Sequence, residues 1–166
     1  MLTYDRFDTP IGQLTVVKST RGVCFIGLPR TSLADAEKWA QRHFPGEILK
    51  PASAPFEIER RQLMEFARGE RRKFMFPIDH RNTPGAVKFL EEVQKIPFGE
   101  TATYGEIALR TGRPKAARAV GRAMATNPLP LVLPCHRIVG SDGSLTGYGG
   151  GIPLKKQLLQ MESGSV

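Results

Sequence analysis

Apolar and polar residues alternate through the first 28 positions, in three short runs separated by turn residues. The runs extend from Leu2 to Phe7, from Gln13 to Lys18 and from Val23 to Leu28. Alternation with a period of two is typical of strands that bury one face, and such short turns join antiparallel neighbours. The pattern predicts an antiparallel meander.

The spacing then becomes helical. Ser32 is a suitable N-cap for a helix that carries Leu33, Ala36, Trp39 and Ala40 on one face. A second helix is predicted over 56–68, and a short strand over 74–78 is predicted to return to the sheet.

Polar and turn-forming residues collect in "DHRNTPGA", at 79–86. This composition is typical of a linker, so the sequence predicts two domains, 1–80 and 81–166. His43 and His80 stand alone in the sequence and are expected to be surface or linker residues.

The second half has a helical pattern. A helix is predicted over 86–96, and Thr103 with Glu106 has the spacing of a capping box for the next one, which Gly112 ends. Pro114, at a first-turn position, then restarts a helix that continues to Asn127. Two helices around a tight turn predict a helix-turn-helix, although many other helical hairpins share this pattern.

The second of these two helices combines positive charge with small side chains. Lys115, Arg118 and Arg122 have the spacing of one helical face, and alanine and glycine separate them. A slender basic helix suits a nucleic-acid groove, and a solvated helix face has the same pattern.

Charge and composition narrow the possible classes of protein. The chain has 40% hydrophobic and 24% charged residues, which is typical of a globular protein and not of a disordered or membrane protein. Its N-terminus has no apolar signal core, so a cytoplasmic location is expected, or a nuclear one if the source is eukaryotic. The net charge is +8, and 101–166 holds eight Lys and Arg against three Asp and Glu, so a polyanionic partner is plausible.

The two cysteines are far apart in the sequence and have no C-x-x-C spacing, so neither a disulfide framework nor a metal site is expected. Cys24 lies within a predicted strand, where a buried and inert thiol is expected. Cys135 follows the apolar run of "LPLVLPCHRIVG" and adjoins His136. A thiol becomes a strong nucleophile when a base removes its proton, and adjacent side chains favour a relay through one water.

A carboxylate is expected to orient His136. Glu162 is a candidate because it ends an apolar helix, "PLKKQLLQME", that can turn its carboxylate inward. The other carboxylates between the linker and the C-terminus are Glu91, Glu92, Glu100, Glu106 and Asp142.

The segment "GSDGSLTGYGGGIP" follows the cysteine and contains one aromatic residue, Tyr148. So many glycines favour a loop that lets a flat ligand approach the backbone closely. A phosphate-binding loop would need a Gly-Lys-Ser/Thr signature, which is not present.

The stretch "NPLPLVLPCHRIVGSDGSLTGYGGG" resembles the active-site region of the O6-alkylguanine-DNA alkyltransferases, with their N-P-x-P-x-x-x-P-C-H-R motif. The resemblance extends from "IPFGETATYGEIA" through "AARAVGRAM" to Glu162, about 96–162. It implies an α+β fold, with a ribonuclease H-like N-terminal α/β domain around a small antiparallel sheet. The C-terminal domain would be mainly helical and contain the helix-turn-helix.

The resemblance also implies roles for individual residues. Cys135 would accept the alkyl group, His136 would act as the base through water, and Glu162 would orient His136. Asn127 would brace the turn before the active-site segment, and Tyr104 would donate a hydrogen bond to the purine.

Two further sets of residues follow from the resemblance. The implied DNA-facing surface comprises Thr103, Ala117, Arg118, Ala119, Gly121 and Arg122. In it, Arg118 would be the arginine finger that fills the space of the flipped nucleotide. The implied purine pocket comprises Met124, Pro130, Ile138, Tyr148, Gly149 and Gly150. The carbonyls of Cys135 and Ile138 would accept from the purine amine.

The implied function is DNA repair by a single-turnover transfer of the alkyl group from O6-alkylguanine, and from O4-alkylthymine, to Cys135. The partner would be double-stranded DNA, bound with base flipping by a monomer that needs no cofactor, no metal and no membrane. The chain departs from the family at Gly85-Ala86, where members often have Phe-Gln, at Phe89-Leu90, near where they have Val-Trp, and at Gly149, where some have serine. The alternatives are a non-catalytic helix-turn-helix DNA-binding protein and a cysteine hydrolase.

Overall fold

The computed structural model describes residues 1–164, which form a mixed α+β fold, as the sequence predicted. The chain divides into two compact units, Met1–Arg81 and Asn82–Val166. The division falls within the polar segment 79–86. No helix in the described part of the chain is both long and apolar enough to cross a membrane.

The first unit is built on a four-stranded sheet in the order β3-β2-β1-β4. β1 (Leu2–Thr9), β2 (Gly12–Ser19) and β3 (Gly22–Gly27) are antiparallel neighbours, so the predicted meander is confirmed. β4 (Leu49–Pro51) adds a parallel strand beside β1, which the sequence pattern did not indicate.

Two helices accompany this sheet, α1 (Leu33–His43) and α2 (Glu57–Ala67). The predicted N-cap of α1 is confirmed, because Ser32 Oγ accepts from the backbone N–H of Asp35. Cys24 lies in the core of this unit with no exposed surface, and burial raises the pKa of its thiol to about 12.

The predicted strand over 74–78 is wrong, because this segment makes only a single bridge, between Val23 and Ile78. Pro77 has no backbone N–H, and the N–H of Met75 donates to the Gln62 side chain at 2.7 Å. The donors that a longer ladder requires are therefore missing or already used.

The second unit is mainly helical. Its helices are α3 (Pro84–Gln94), α4 (Tyr104–Arg110), α5 (Ala117–Ala125) and α6 (Ile152–Ser163). Two short parallel strands, β5 (Ala102–Thr103) and β6 (Ile138–Val139), pair beside them. Their core is a cluster of buried residues that includes Phe89, Val93, Ile107 and Val120.

The connection between α4 and α5 differs from the sequence prediction. α4 ends as expected, with Gly112 at a φ of 77°, but Pro114 does not start the next helix. The N–H of Ala116 closes a turn onto the carbonyl of Arg113 at 2.9 Å, and α5 begins only at Ala117. Lys115 therefore precedes the helix, and the predicted three-residue stripe is corrected to Arg118 and Arg122 on α5. The helix also ends at Ala125, before Asn127.

Candidate active site

Asn127 fixes the backbone that leads to the cysteine. Its Nδ2 donates to the carbonyl of Leu133 at 2.9 Å, and its Oδ1 accepts from the N–H of Leu129 at 2.9 Å. Between them lies Leu131, with a φ of 77°, the one non-glycine residue in the described part of the chain with a positive φ. Such a backbone costs about 1–3 kcal/mol and persists where its surroundings impose it. Asn127 thus holds a strained turn immediately before Cys135.

Cys135 begins a 3₁₀ turn, Cys135–Arg137, and is only 6% exposed. Burial raises the pKa of its thiol, while a hydrogen bond with Asn127 and the positive charge of Lys155 act in the opposite direction. The net effect is a protonated thiol in the free protein at neutral pH. Reaction therefore requires a group that removes this proton.

His136 is completely buried, and its Nε2 lies 2.7 Å from Glu162 Oε2. Burial lowers the pKa of His136 more than the carboxylate raises it, so the imidazole is neutral. Since an ionised carboxylate only accepts hydrogen bonds, Nε2 carries the hydrogen and donates it to Glu162. Nδ1 is then the ring nitrogen that can accept a proton.

Glu162 is buried near the end of α6 and is held from a second side by Arg137. Arg137 Nε donates to Oε1 at 2.8 Å and Nη2 to Oε2 at 2.9 Å, while Nη1 donates to the carbonyl of Ile96 at 2.8 Å. Burial alone would raise the pKa of Glu162, but the hydrogen bonds from His136 and Arg137 outweigh it and lower the pKa to about 2. The carboxylate is therefore charged throughout the neutral range.

This depressed pKa predicts an acid-dependent loss of stability. Because the folded pKa lies near 2 and the ordinary value is 4.5, Glu162 contributes its full stabilisation above about pH 4.5 and loses it as the pH falls towards 2. Glu162→Gln leaves Arg137 buried without a carboxylate, which should lower the free energy of unfolding by about 3–5 kcal/mol near neutral pH. Urea unfolding from neutral pH to about pH 3 should show the gap between wild type and variant narrowing with acid. A gap that stays constant would contradict this assignment.

Arg137 has no assigned role in the sequence prediction, although it completes the "PCHR" motif. Arg137 could have been identified from the expected burial of Glu162, because a deeply buried carboxylate needs a cationic partner. Lys155 was also missed. It shares one face of α6 with Leu158 and Glu162, at i, i+3 and i+7, and is only 1% exposed.

Tyr104 is the first residue of α4, and its Oη lies 2.6 Å from Thr146 Oγ1. Thr146 belongs to the segment 140–151 between β6 and α6, here called the glycine-rich loop. The carbonyl of Thr146 accepts from Lys155 Nζ at 3.4 Å. Thr146, which sequence reasoning also missed, therefore connects the loop to α4 and to α6.

Tyr148 lies in the same loop with its hydroxyl enclosed, and this hydroxyl has no hydrogen-bond partner among residues 1–164. Burial is the main cause that raises the pKa of Tyr148 well above its usual value, and the negative charge of Glu162 acts in the same direction. A neutral phenol that keeps its hydrogen is thus available to a ligand beside the cysteine. Of the other predicted pocket residues, Gly149 is exposed and Met124 is half-buried, whereas Pro130, Ile138 and Gly150 are buried.

The start of α5 and the connection before it line an open cavity of about 610 Å³, here called the cationic groove. Its lining residues are Arg113, Pro114, Lys115, Ala116, Arg118, Ala119 and Arg122. Four of them are cations and none is a carboxylate, so the groove suits an anionic partner. Of the predicted DNA-facing residues, Arg118, Ala119 and Arg122 line it, and Thr103, Ala117 and Gly121 do not.

Two of the remaining predicted DNA-facing residues, Thr103 and Gly121, have local contacts. Thr103 Oγ1 caps α4 by accepting from the N–H of Glu106 at 3.1 Å. Gly121 lies against the Tyr104 ring, and a Cβ built there would be 3.9 Å from Tyr104 Cε1. In the described part of the chain, no group of three or more His, Cys, Asp or Glu side chains is arranged to hold a metal ion.

Known proteins resemble this chain over most of its length. Residues 86–164 match the family model for the 6-O-methylguanine DNA methyltransferase, DNA binding domain. The chain is 39% identical over 163 residues to the methylated-DNA–protein-cysteine methyltransferase of Mycobacterium bovis, covering 98% of this chain and 93% of that protein. It is 33% identical over 147 residues to the inducible enzyme of Bacillus subtilis, covering 89% and 82% respectively.

Solved structures agree with this likeness. The crystal structure of Mycobacterium tuberculosis OGT in complex with DNA matches with a TM-score of 0.85 and 35% identity, covering 99% of this chain and 94% of that one. These relatives do not favour the alternative of a non-catalytic DNA-binding protein. The resemblance found in the sequence is confirmed, and the chain belongs to the family of methylated-DNA–protein-cysteine methyltransferases.

Proposed function

We propose that this chain repairs alkylated DNA by moving one alkyl group from O6-alkylguanine, or from O4-alkylthymine, to Cys135. The observation that carries the proposal is that the buried Cys135 adjoins a neutral His136. The Nε2 of His136 is bound to the charged carboxylate of Glu162, so its Nδ1 can accept a proton. The names of its relatives, methylated-DNA–protein-cysteine methyltransferases, describe the same chemistry.

The proton of the thiol leaves first. His136 Nδ1 accepts it through one water, and the Glu162 carboxylate at 2.7 Å stabilises the imidazolium that forms. The thiolate then attacks the alkyl carbon in line with the bond to O6. A C–S bond forms and the C–O6 bond breaks, so the electron pair stays on the departing guanine, which takes up a proton to become the normal base.

The departing base carries developing negative charge, and hydrogen-bond donors aimed at it lower the barrier. Tyr104 is the proposed donor to the purine ring, and Tyr148 with the Gly149 to Gly150 backbone lines the pocket. The carbonyls of Cys135 and Ile138 accept from the purine amine. Asn127 acts indirectly, by holding the turn that positions Cys135.

DNA binding is assigned to α4 and α5, acting as a helix-turn-helix. Arg113, Lys115 and Arg122 of the cationic groove contact phosphates. The small residues Ala117, Ala119 and Gly121 keep α5 slender where it approaches the duplex. Alkylguanine lies inside the stack, so it must be extruded at a cost of a few kcal/mol. Arg118, exposed at the start of α5, fills the vacated space.

The reaction occurs once per molecule, because water does not readily cleave a thioether and the Cys24 thiol is buried, with a pKa of about 12. The chain acts as a monomer without a cofactor. The proposed location is the cytoplasm, because the relatives of this chain include bacterial proteins.

The test is a titration of the protein against duplex DNA containing one O6-methylguanine. Guanine should be restored in a single phase that stops at one lesion per protein molecule, and Cys135→Ala should restore none. Continued repair beyond one equivalent would indicate a turnover enzyme such as a hydrolase. Full activity of Cys135→Ala would contradict the proposal.

A further inference from the structure

Thr146 contacts the side chain of Tyr104, the residue that is proposed to donate a hydrogen bond to the purine. Its Oγ1 lies 2.6 Å from Tyr104 Oη, a short hydrogen bond between residues 42 positions apart in the sequence. Both residues are half-buried, so water competes only partly for this contact. The bond therefore joins the glycine-rich loop to the start of α4.

The direction of this hydrogen bond follows from what Tyr104 must do. Either hydroxyl can be the donor in the free protein. A phenol that donates its hydrogen to a purine cannot also donate to Thr146, so in the complex Thr146 must be the donor and Tyr104 Oη the acceptor. A hydroxyl that accepts one hydrogen bond becomes a stronger donor of the next, because the two bonds polarise each other.

Thr146 is itself held at a second point. Its carbonyl accepts from Lys155 Nζ at 3.4 Å, and Lys155 is 1% exposed on α6. The position of the Thr146 hydroxyl is thus fixed through the backbone of the loop and not only by its own side-chain torsion. A donor held in this way can orient the phenol before the substrate arrives.

We propose that Thr146 is a positioning residue for alkyl transfer, which donates to Tyr104 and so directs the phenolic hydrogen towards the departing base. This inference rests on the proposed function, since it concerns the same reaction. Thr146 touches neither the alkyl group nor Cys135 in this proposal and acts through Tyr104. It should affect the rate of transfer and leave DNA affinity unchanged.

The first test compares three variants with wild type on methylated duplex at saturating protein. Thr146→Val keeps the shape of the side chain and removes the hydroxyl, and it should slow transfer about tenfold, the value of one hydrogen bond. Thr146→Ser should restore the wild-type rate. Thr111→Val is the matched control, because the Thr111 hydroxyl donates to backbone carbonyls at the far end of α4. This variant should leave the rate unchanged.

The second test separates positioning from a structural role. If Thr146 acts through Tyr104, Thr146→Val should cost nothing further in a Tyr104→Phe background. A loop that merely collapses would slow both backgrounds by the same factor. That outcome, or a wild-type rate for Thr146→Val, would overturn the inference.

A third measurement does not depend on activity. The chain has three tyrosines, so labelling of their ring Cζ carbons should give resonances from which Tyr104 is assigned by its loss in Tyr104→Phe. Thr146→Val should move the Tyr104 resonance in the free protein, and Thr146→Ser should not. If the wild-type protein transfers no alkyl group, the proposed function is wrong. The resonance of Tyr104 would still show whether Thr146 and Tyr104 are hydrogen-bonded in the free protein. An unmoved Tyr104 resonance would refute the positioning role itself.

Discussion

Replacing Arg118 with alanine is expected to slow alkyl transfer from duplex DNA by roughly 100-fold, and to leave transfer from the free base O6-methylguanine unchanged. Extruding a stacked base costs a few kcal/mol, and each 1.36 kcal/mol corresponds to about a tenfold change in rate. Arg118 is exposed at the start of α5 and is proposed to offset that cost by filling the vacated space. The free base needs no extrusion, so its reaction reports only on the thiol chemistry. Single-turnover rates on both substrates make the comparison.

Arg122→Ala is the matched control for charge, because Arg122 lies on the same helix and lines the same groove. Its loss should weaken DNA binding and reduce the salt dependence by about one unit, and a higher protein concentration should restore the rate. The Arg118→Ala rate should stay low at saturating protein. Equal losses on duplex and free base would refute the role in base flipping.

Replacing His136 with glutamine is expected to slow transfer by about 100-fold or more and to make the rate depend on pH. In wild type, the neutral imidazole removes the thiol proton, and its pKa is lowered by burial. The pKa of His136 is lowered from its ordinary value of 6.5, so the imidazole is neutral at pH 6.5 and above. The wild-type rate should therefore not change with pH above about 6.5. The variant depends on thiolate formed without a base. Because burial raises the Cys135 pKa, its rate should rise about tenfold per pH unit through the neutral range.

His43→Gln is the control for this measurement, since His43 belongs to the first unit and stacks on Trp39. It should have the wild-type rate and the wild-type pH profile. A His136→Gln profile that is flat through the neutral range would show that another group deprotonates Cys135, and the assignment of the base would then be wrong.

The fold was predictable where the pattern is local. Alternation and short turns identified β1 to β3, and Ser32 identified the start of α1. The prediction of a strand over 74–78 was wrong because the Met75 N–H donates to the side chain of Gln62 in α2. The local sequence pattern does not indicate this contact. Pro114 suggested a helix start, but the turn that Ala116 closes delayed α5 to Ala117. The ribonuclease H-like character of the first unit and the helix-turn-helix remain predictions.

The residues of the site likewise comprise some that the sequence identified and others that depend on the packing of the elements. The family resemblance in the sequence identified Cys135, His136 and Glu162, and in the structure His136 Nε2 lies 2.7 Å from Glu162 Oε2. Arg137 is next to His136 in the chain, yet its contact with Glu162 depends on how α6 packs against the 3₁₀ turn. Thr146 meets Tyr104 across 42 positions, so no spacing rule indicates the pair. Such contacts become visible only when the packing of the elements is known.

The central claim is that Cys135, and not Cys24, receives the alkyl group permanently. Peptide mapping by mass spectrometry, after reaction with one equivalent of O6-methylguanine duplex, tests this directly. We expect one methyl group on the peptide that contains Cys135, none on the peptide that contains Cys24, and no loss of the label on prolonged incubation. A methyl group on Cys24, or restored guanine with both cysteines unmodified, would contradict the account.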